Sequence, residues 1–247
     1  MDRMIYTALS GAKQILDQQA AVSNNLANVS TPAFRAQVNL YRAVPVVGAE
    51  AGTRAFTLAS TPGADMRAGP LTYTGRALDV ALQGNGWLVV QAPDGSEAYT
   101  RAGALQVAQD GQVQTISGLP VMGDGGPLAV PPGSQVTIGT DGTITARGPG
   151  EASAGLAQVG RLRVVNPPND AIARGDDGLF RLRPGAQPLE ADPTVRVISG
   201  ALEGSNVNPT EAMVEMIANA RRFEMQMKMI QGADGNEQRA NQLLSTN

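Results

Sequence analysis

Apolar residues recur at alternating spacings of three and four along the first 26 residues of the chain. The stripe comprises Ile5, Ala8, Ala12, Ile15, Gln19, Val22 and Leu26, of which Gln19 is the one polar member. This heptad pattern predicts an amphipathic helix that packs along one seam as a coiled coil. Proline keeps the residue before it out of the helical region, so Thr31-Pro32 predicts a helix end between about Asn28 and Ser30. Residues 1–30 are therefore predicted as an N-terminal coiled-coil helix.

A second helical stripe occupies residues 208–247. Asn208 fits an N-cap, Pro209 fits the first helical position, and Glu211 lies three residues after the cap. The same heptad spacing then runs through Met213, Met216, Ala220, Phe223, Met227 and Ile230. Gly232 and Gly235 each cost about 1 kcal/mol relative to alanine in a helix, so a soft spot or kink is expected there.

The middle of the chain follows a period of two. Short alternating or apolar runs such as "LDVAL", "WLVV", "QVTIG" and "TVRVISG" indicate β-strands. Asp-Gly pairs between such runs favour two-residue hairpin turns of type I′, and the pairs are Asp94-Gly95, Asp110-Gly111, Asp141-Gly142 and Asp177-Gly178. No helical pattern separates the runs, so the sheets are predicted to be antiparallel.

The predicted fold class is α+β, with a mainly antiparallel β domain flanked by N- and C-terminal helices that pack as a coiled coil. The β-rich domain is placed at residues 76–190. An extended connector segment at 31–75 leads into it, and a connector return at 191–207 leads to the C-terminal helix. The stretch "RGPGEASAGLAQ", residues 147–158, is interpreted as a loop or insertion in the β domain.

Composition narrows the chemistry open to this chain. The 247 residues include no Cys and no His, which removes thiol nucleophiles, disulfides, the commonest general base and the commonest transition-metal ligand. We therefore expect no enzyme activity, no cofactor and no metal site. A net charge of −3 without a basic run also argues against nucleic acid as a partner. A carboxylate-based hydrolase ranks last among the alternatives, because Asp79, Asp94 and Asp110 show no pairing in the sequence.

Two short motifs in the β region have structural interpretations. Gly84-Asn85-Gly86 precedes a strand-like run, not a helix, so it favours a turn over a phosphate-binding loop. Tyr99-Thr100-Arg101 is interpreted as a cross-strand packing pair with an arginine at the surface, in preference to a polar cluster in a binding cleft.

No run of about 18 apolar residues predicts a membrane-spanning helix. The opening "MDRMIYTALSGAKQ" lacks an apolar region followed by a small-residue cleavage site, so a Sec-type signal peptide is not expected. The protein is expected either to stay in the cytoplasm or to be exported by a route that does not use a cleavable signal peptide.

Further apolar residues lie beside the two stripes. They are Met4, Leu9 and Leu16 in the first helix and Val214, Ile217 and Met229 in the second. The stripes alone return too little free energy to order helices of this length, and packing the two helices together covers only one seam. The flanking residues are therefore expected to stay exposed in a single chain and to meet other subunits. A heterologous contact that repeats without closing produces a helical filament.

The two ends carry a resemblance to a known family. "NNLANVSTPAFRAQ" resembles the N-terminal signature of the flagellar axial proteins of rod and hook, typically ANVSTPGF followed by a basic residue. Ala33 stands where that signature has Gly, and a positive φ there would strain an alanine. "LEGSNVNPTEAMVEMIANARRFEMQMKMI" resembles the C-terminal signature, and "GRALDVALQGNGWLVVQAPDGSEAYTRAGALQV" resembles the β domain shared by the hook protein and the longer rod proteins.

The resemblance implies a structural subunit of the bacterial flagellar basal-body rod, which polymerises helically through its terminal helices and transmits motor torque. It implies export through the flagellar type III apparatus without signal cleavage, and a place in the periplasmic rod. The implied partners are other rod proteins and copies of the same chain, with no small-molecule substrate and no membrane insertion. The start and the "RRFEMQMKMI" ending favour the proximal rod over the distal rod.

The expected assembly interface combines both stripes with the two signature segments. Its residues are Ile5, Ala8, Ala12, Ile15, Val22, Leu26, Pro32, Phe34, Asn206, Val207, Met213, Met216, Ile217, Ala220, Phe223, Met227 and Ile230. Two alternatives stay open at this point. One is a distal-rod subunit, and the other is a β-rich binding module dimerised by a helical pair, for example one that recognises carbohydrate. Trp87 is the only tryptophan, so the aromatic groove of such a module would be poorly supplied.

Overall fold

The structure is a computed structural model that describes residues 2–45, 55–148 and 157–245. The chain forms two compact units. The helical unit consists of residues 1–29, 37–63 and 207–247, and the β unit consists of residues 30–36 and 64–206. Two helices thus flank a central antiparallel β region, which confirms the predicted α+β class.

The helical unit contains α1 (Asp2–Ala27) and α2 (Pro209–Ser245). Gln18 Nε2 donates a hydrogen bond to Glu215 Oε1 at 2.9 Å, and Gly11 lies against the side chain of Gln226. The two helices therefore run antiparallel, since lower numbers in α1 meet higher numbers in α2. No helix in the described part of the chain is long and apolar enough to cross a bilayer.

The helix ends follow the local signals in the sequence. α1 ends at Ala27, and the amide of Asn28 closes its last turn by donating to the carbonyls of Asn24 and Asn25. At the start of α2, Asn208 Oδ1 accepts hydrogen bonds from the amides of Thr210 at 3.1 Å and Glu211 at 3.4 Å, which confirms the N-cap.

α2 continues without interruption through Gly232 and Gly235, so the helix does not end where the soft spot or kink is expected. Each glycine costs only about 1 kcal/mol, and the residues around the two glycines are largely good helix formers. Gln238 Nε2 also donates to Asp234 Oδ2 at 3.1 Å across one helical turn.

Two strands, β1 (Gln37–Pro45) and β2 (Ala55–Ala64), pair with each other within the segment predicted as an extended connector. Asn25 of α1 fixes the start of β1. Its Oδ1 accepts from the amide of Gln37 at 2.7 Å, and its Nδ2 donates to the carbonyl of Gln37 at 3.0 Å. Residues 31–75 therefore contain regular paired structure as well as connecting chain.

The β unit contains sixteen described strands. They are β3 (Leu71–Tyr73), β4 (Val80–Leu82), β5 (Trp87–Gln91), β6 (Glu97–Thr100), β7 (Leu105–Val107), β8 (Val113–Thr115), β9 (Met122–Gly123), β10 (Gly126–Pro127), β11 (Gln135–Ile138), β12 (Thr143–Arg147), β13 (Ala157–Arg161), β14 (Val164–Val165), β15 (Ile172–Arg174), β16 (Phe180–Leu182), β17 (Val197–Ser199) and β18 (Ala201–Glu203). The largest sheet has the order β14-β5-β6-β16-β15, and a second has the order β11-β12-β13. Every pairing described in this unit is antiparallel, as predicted.

The loop or insertion predicted at 147–158 falls mostly on residues 149–156, which lie outside the described ranges. On either side of it, Arg147 ends β12 and Ala157 begins β13, and these two strands pair with each other.

Strand β5 contributes to two hydrophobic clusters. Leu88 and Val90 belong to a large cluster of aliphatic side chains, while Trp87 and Val89 belong to a smaller, more aromatic one. Neighbouring residues of a strand point to opposite faces of its sheet, so this strand supplies both faces. All four side chains are buried.

The four Asp-Gly pairs all lie in hairpins between consecutive strands, but their turn type differs from the prediction. In the first hairpin the amide of Gly95 donates to the carbonyl of Ala92, and the amide of Ala92 donates to the carbonyl of Ser96. The same bonds recur at Gly111, Gly142 and Gly178. In each pair only the glycine has positive φ. The turns are therefore three-residue loops with a glycine bulge. In each turn the Asp carboxylate accepts a hydrogen bond from the amide two residues later, and this bond stabilises the Asp backbone in the right-handed helical region.

Candidate assembly surface and buried ion cluster

The predicted stripe of α1 is the buried face of that helix. Ala8, Ala12 and Val22 are 7%, 4% and 4% exposed, and Ile15 and Leu26 are half-buried. The side chain of Ile5 lies outside those that the structure describes. Small residues at positions 8, 11 and 12 allow α2 to approach α1 closely, as the contact between Gly11 and Gln226 illustrates.

The buried face of α2 consists of two rows of side chains. The row formed by Met216, Phe223 and Ile230 matches the predicted stripe, and the second row differs from it. The buried face repeats at spacings of four and three through Ala212, Met216, Asn219, Phe223, Gln226, Ile230 and Ala233. The predicted members Met213, Ala220 and Met227 are exposed instead. The second row is shifted by one residue, so that Ala212, Asn219 and Gln226 lie on the buried face in place of Met213, Ala220 and Met227. Hydrophobicity alone selects the methionines, so sequence reasoning missed Asn219 and Gln226.

Both helices keep large apolar side chains at the surface. Expected exposure is confirmed for Leu9 and Leu16 of α1 and for Val214, Ile217 and Met229 of α2, which are 52–62% exposed. Tyr6 and Met225 add to the same exposed set, and the side chain of Met4 lies outside the described ones. The apolar residues of α2 therefore lie on more than one side of the helix.

A groove of about 830 Å³ runs along the helical unit beside this surface. Its apolar lining includes Leu9, Leu16, Phe223 and Met227. A groove lined by residues of two helices suits the apolar ridge of a further helix.

The β unit contains a buried ion cluster that joins three distant segments of the chain. Glu203 of β18 accepts from Arg35 Nη1 at Oε1 and from Arg101 Nε at Oε2, both at 2.6 Å. The side chains of all three residues are at most 2% exposed. The amide of Gly69 also donates to Glu203 Oε1 at 2.9 Å. One carboxylate therefore holds the N-terminal signature, the segment that follows β6 and the C-terminal return together.

Arg101 uses its remaining donors on backbone carbonyls. Its Nη1 donates to Gly84 at 2.9 Å and to Gly86 at 2.5 Å, and its Nη2 donates to Leu82 at 2.9 Å. Burial lowers the pKa of Arg101, and the charge and hydrogen bonding of Glu203 oppose that effect. The interpretation of Arg101 as a surface arginine is therefore wrong, since a planar guanidinium with five donors can be satisfied inside the fold.

Aromatic rings cover the cluster. The guanidinium carbons of Arg35 and Arg101 each lie 5.9 Å from the centroid of the Trp87 ring. Trp87 in turn contacts Phe180 with ring centroids 4.4 Å apart. The rings exclude water from the cluster, so the interaction between the arginines and the carboxylate is stronger than it would be at the surface.

Residues 30–36 of the N-terminal signature pack inside the β unit. Phe34 is 8% exposed, and the guanidinium of Arg174 lies 4.5 Å from its ring centroid. Arg174 Nη1 also donates to the carbonyl of Arg35 at 3.0 Å. Ala33 has φ +59°, the one positive φ among described residues other than glycine, which confirms the strain expected at this position.

Asn206 fixes the C-terminal return. Its Oδ1 accepts from the amide of Ala36 at 2.7 Å, and its Nδ2 donates to the carbonyls of Asp65 and Arg67, both at 2.9 Å. Asn206 and Phe34 thus make contacts within their own chain, whereas Pro32 is exposed. Their part in the assembly interface, and that of the other expected residues, stays a prediction.

The three carboxylates considered for hydrolysis lie in separate structural settings. Asp79 accepts from Arg76 Nε at 2.9 Å and from Thr74 Oγ1 at 2.6 Å. Burial alone would raise the pKa of Asp79, but these hydrogen bonds outweigh it and lower the pKa. Asp94 and Asp110 each accept from an amide in their own hairpin turns.

In chain order an antiparallel β unit lies between two helices, and both helices expose apolar side chains. Three family profiles match the chain: residues 5–35 match "Flagella basal body rod protein", residues 81–146 match "Flagellar hook protein FlgE/F/G D1 domain", and residues 198–243 match "Flagellar basal body rod FlgEFG protein C-terminal". The chain belongs to the family of flagellar basal-body rod proteins.

Curated relatives narrow the assignment within that family. The chain is 59% identical to the flagellar basal-body rod protein FlgF of Salmonella typhimurium and 57% identical to that of Escherichia coli, in each case over 99% of both chains. A flagellar basal-body rod protein FlgG from Buchnera aphidicola is 32% identical over 90% of this chain and 92% of its own. The chain is therefore a structural rod subunit similar to FlgF, and the distal-rod alternative is less well supported.

Proposed function

We propose that this rod subunit polymerises helically through the outer faces of α1 and α2, and that each groove along the helical unit accepts a helix of a neighbouring rod subunit. The exposed apolar residues of both helices are the observation that carries the proposal. Burying each such side chain contributes about 1.5–3 kcal/mol. Several of them together can offset the loss of freedom when two subunits associate.

The arrangement of these residues favours a filament over a closed dimer. Leu9 and Leu16 belong to α1, whereas Val214 and Ile217 belong to α2, and these surfaces have different shapes and compositions. When one surface of a subunit binds a different surface of the next, the contact can repeat from subunit to subunit, and it builds a helix of subunits where the rotation does not close a ring.

The buried ion cluster supports a role in torque transmission. Arg35 lies two residues before β1, and Glu203 lies a few residues before α2, so both chain segments that lead into the helical unit are anchored in the β unit. Each of these segments is thus held at its β-unit end, through Arg35 and Glu203, by a carboxylate with two guanidinium partners and an amide.

We further propose export of the unfolded chain through the flagellar type III apparatus, without signal cleavage, into a periplasmic part of the rod. The Cys-free composition supports this route, because an unfolded chain then reaches an oxidising compartment without forming wrong disulfides. The exposed helix faces also fit a chain that completes its packing only after docking.

Leu16→Asp tests the interface, because Leu16 is 53% exposed and lines the groove. Burying an unpaired carboxylate against a neighbour is costly, so we expect loss of swimming in soft agar and absence of the subunit from purified basal bodies. Near-UV circular dichroism around Trp87 should remain as in the wild type, since the β unit is unchanged. Ser23→Asp, at an exposed polar position of α1, is the matched control and should swim normally. Normal swimming of the Leu16→Asp strain would refute the proposed interface.

A further inference from the structure

Helix α2 carries an exposed apolar row on the side that faces away from the groove. Met227 lines the groove and lies about 80° from the fully buried Asn219 in one direction around the helix. Val214, Met225 and Met229 lie about 80–140° from Asn219 in the opposite direction. They are 52–62% exposed, and we call these three residues the α2 ridge.

The α2 ridge and the groove are chemically matched. Leu9 and Leu16 contribute to the apolar lining of the groove, and the ridge offers methionines, whose flexible side chains fill irregular apolar clefts. Side chains along one helix commonly pack as a ridge into the space between those of another. Because ridge and groove lie on opposite sides of α2, one chain can present the groove to one neighbour and the ridge to another.

The two surfaces also carry charges of opposite sign. Asp17 is exposed and lines the groove. Arg221 is exposed beside the ridge, seven residues after Val214 and four before Met225, which makes it their neighbour on the helix surface. Neither Asp17 nor Arg221 forms an ion pair with a residue that the structure describes. Both charges are therefore available to a partner.

The spacing of these residues agrees along the two helices. Arg221 and Met229 are eight residues apart in α2, as are Leu9 and Asp17 in α1, which is about 12 Å in each helix. A helical assembly repeats every subunit with the same polarity, so for helices along its axis the α2 of a neighbour runs antiparallel to α1. Placing Arg221 opposite Asp17 therefore brings Met229 opposite Leu9.

We propose that the α2 ridge of one copy docks into the groove of the next copy, with Arg221 paired to Asp17 and Met229 against Leu9. The inference rests on the proposed polymerisation through the outer faces of the helices, and it names the side of α2 that enters the groove. The contact is heterologous, because each copy uses its groove toward one neighbour and its ridge toward the other.

Cross-linking in purified basal bodies tests the docking. One tagged copy carries Leu9→Cys and a differently tagged copy carries Met229→Cys; since the chain has no cysteine, a disulfide that joins the two tags reports contact between these positions. We expect the mixed disulfide after mild oxidation. Ile217→Cys in place of Met229→Cys is the matched control, because Ile217 is 57% exposed but lies on the other side of α2, and it should give no disulfide.

Two cross-linking results would overturn the proposal. A disulfide through Ile217→Cys but not through Met229→Cys would show that the opposite side of α2 enters the groove. Basal bodies that contain both tagged copies but yield no mixed disulfide would show that the groove has another occupant.

Exchange of the two charges is a second test. Arg221→Asp and Asp17→Arg each bring two like charges together, so each should slow swimming in soft agar about tenfold. The double variant restores opposite charges and should swim near the wild-type rate. Asp17→Arg combined with Arg196→Asp, which alters an exposed arginine of the β unit, is the control and should stay as slow as Asp17→Arg alone. A double variant of Arg221 and Asp17 that swims no better than either single variant would refute the docking.

These outcomes are distinct from failure of the proposed function. If Leu16→Asp abolishes swimming while neither the mixed disulfide nor the charge rescue is seen, the groove assembles the rod with a different occupant. If Leu16→Asp swims normally, the interface itself is wrong.

Discussion

Ala33 has a backbone conformation that disfavours alanine. Its φ of +59° brings Cβ close to the following carbonyl, and its amide donates to the carbonyl of Glu203 at 2.8 Å, which holds the residue in place. The surrounding turn therefore imposes the conformation on a residue that would otherwise avoid it. The strain was predictable from the signature in which glycine usually stands at this position.

Ala33→Gly should stabilise the β unit by about 1 kcal/mol, because relief of the left-handed strain exceeds the added freedom of the unfolded chain. Thermal unfolding followed through Trp87 should show a rise of roughly 2–4 °C in the midpoint. Ala36→Gly is the control, since Ala36 has no positive φ, and it should lower the midpoint slightly. A fall in the midpoint for Ala33→Gly would show that the turn carries no strain.

At the scale of elements, the helices were predictable in type, position and ends, because their signals are local. α1 ends at Ala27, one residue before the predicted range, and Asn208 with Pro209 begins α2. The strands and hairpins of the β unit were also predictable from alternation and Asp-Gly pairs. The type of turn was not predictable from the sequence. It depends on whether the Asp carboxylate accepts a hydrogen bond from the amide two residues later, and residue types alone do not fix the backbone geometry that this bond needs. The face of α2 was only half predictable, because hydrophobicity favours Met213 and Met227, whereas the residues on the buried face are Ala212, Asn219 and Gln226.

Gly232 lies inside the continuous helix α2 and weakens it. Gly232 is exposed, and an added Cβ would meet no atom within 4 Å, so Gly232→Ala should stabilise the end of the helix by about 1 kcal/mol. Amide exchange in the last three turns of α2 should slow about fivefold. Gln231→Ala, at a neighbouring exposed position, should change little because glutamine already favours helix. Equal effects of the two substitutions would indicate that Gly232 does not weaken the helix.

For the whole molecule, the buried ion cluster joins parts of the chain that are far apart in sequence. Arg35 and Glu203 are 168 residues apart, and Arg101 and Glu203 are 102 apart. A buried carboxylate of this kind makes the fold specific, because no other residue in the described cluster can neutralise both guanidinium groups. Removing either arginine leaves one partner, whereas removing the carboxylate leaves two buried cations.

Glu203→Gln should therefore destabilise the β unit by about 3–5 kcal/mol, the cost of leaving buried charges unpaired. Urea unfolding followed through Trp87 fluorescence measures the change. Glu97→Gln is the matched control, since Glu97 is 44% exposed and pairs with the partly exposed Arg163 at 2.5 Å, and it should cost less than about 1 kcal/mol. A similar small loss for Glu203→Gln would show that the cluster contributes little beyond a surface ion pair.

The sequence by itself determined the α+β order of elements, the helix ends, the hairpins and the family, because each depends on residues that are near neighbours or on contiguous motifs. Only the tertiary structure decided that Arg101 is buried, that Glu203 joins it to Arg35, and that Asn219 occupies the helix seam in place of Met213 or Ala220. Those facts depend on which segments meet across more than a hundred residues and on how closely two backbones approach. The hydrophobic pattern of a single segment encodes neither which distant segments meet nor how closely two backbones approach. Both are decided only by the packing of the complete chain.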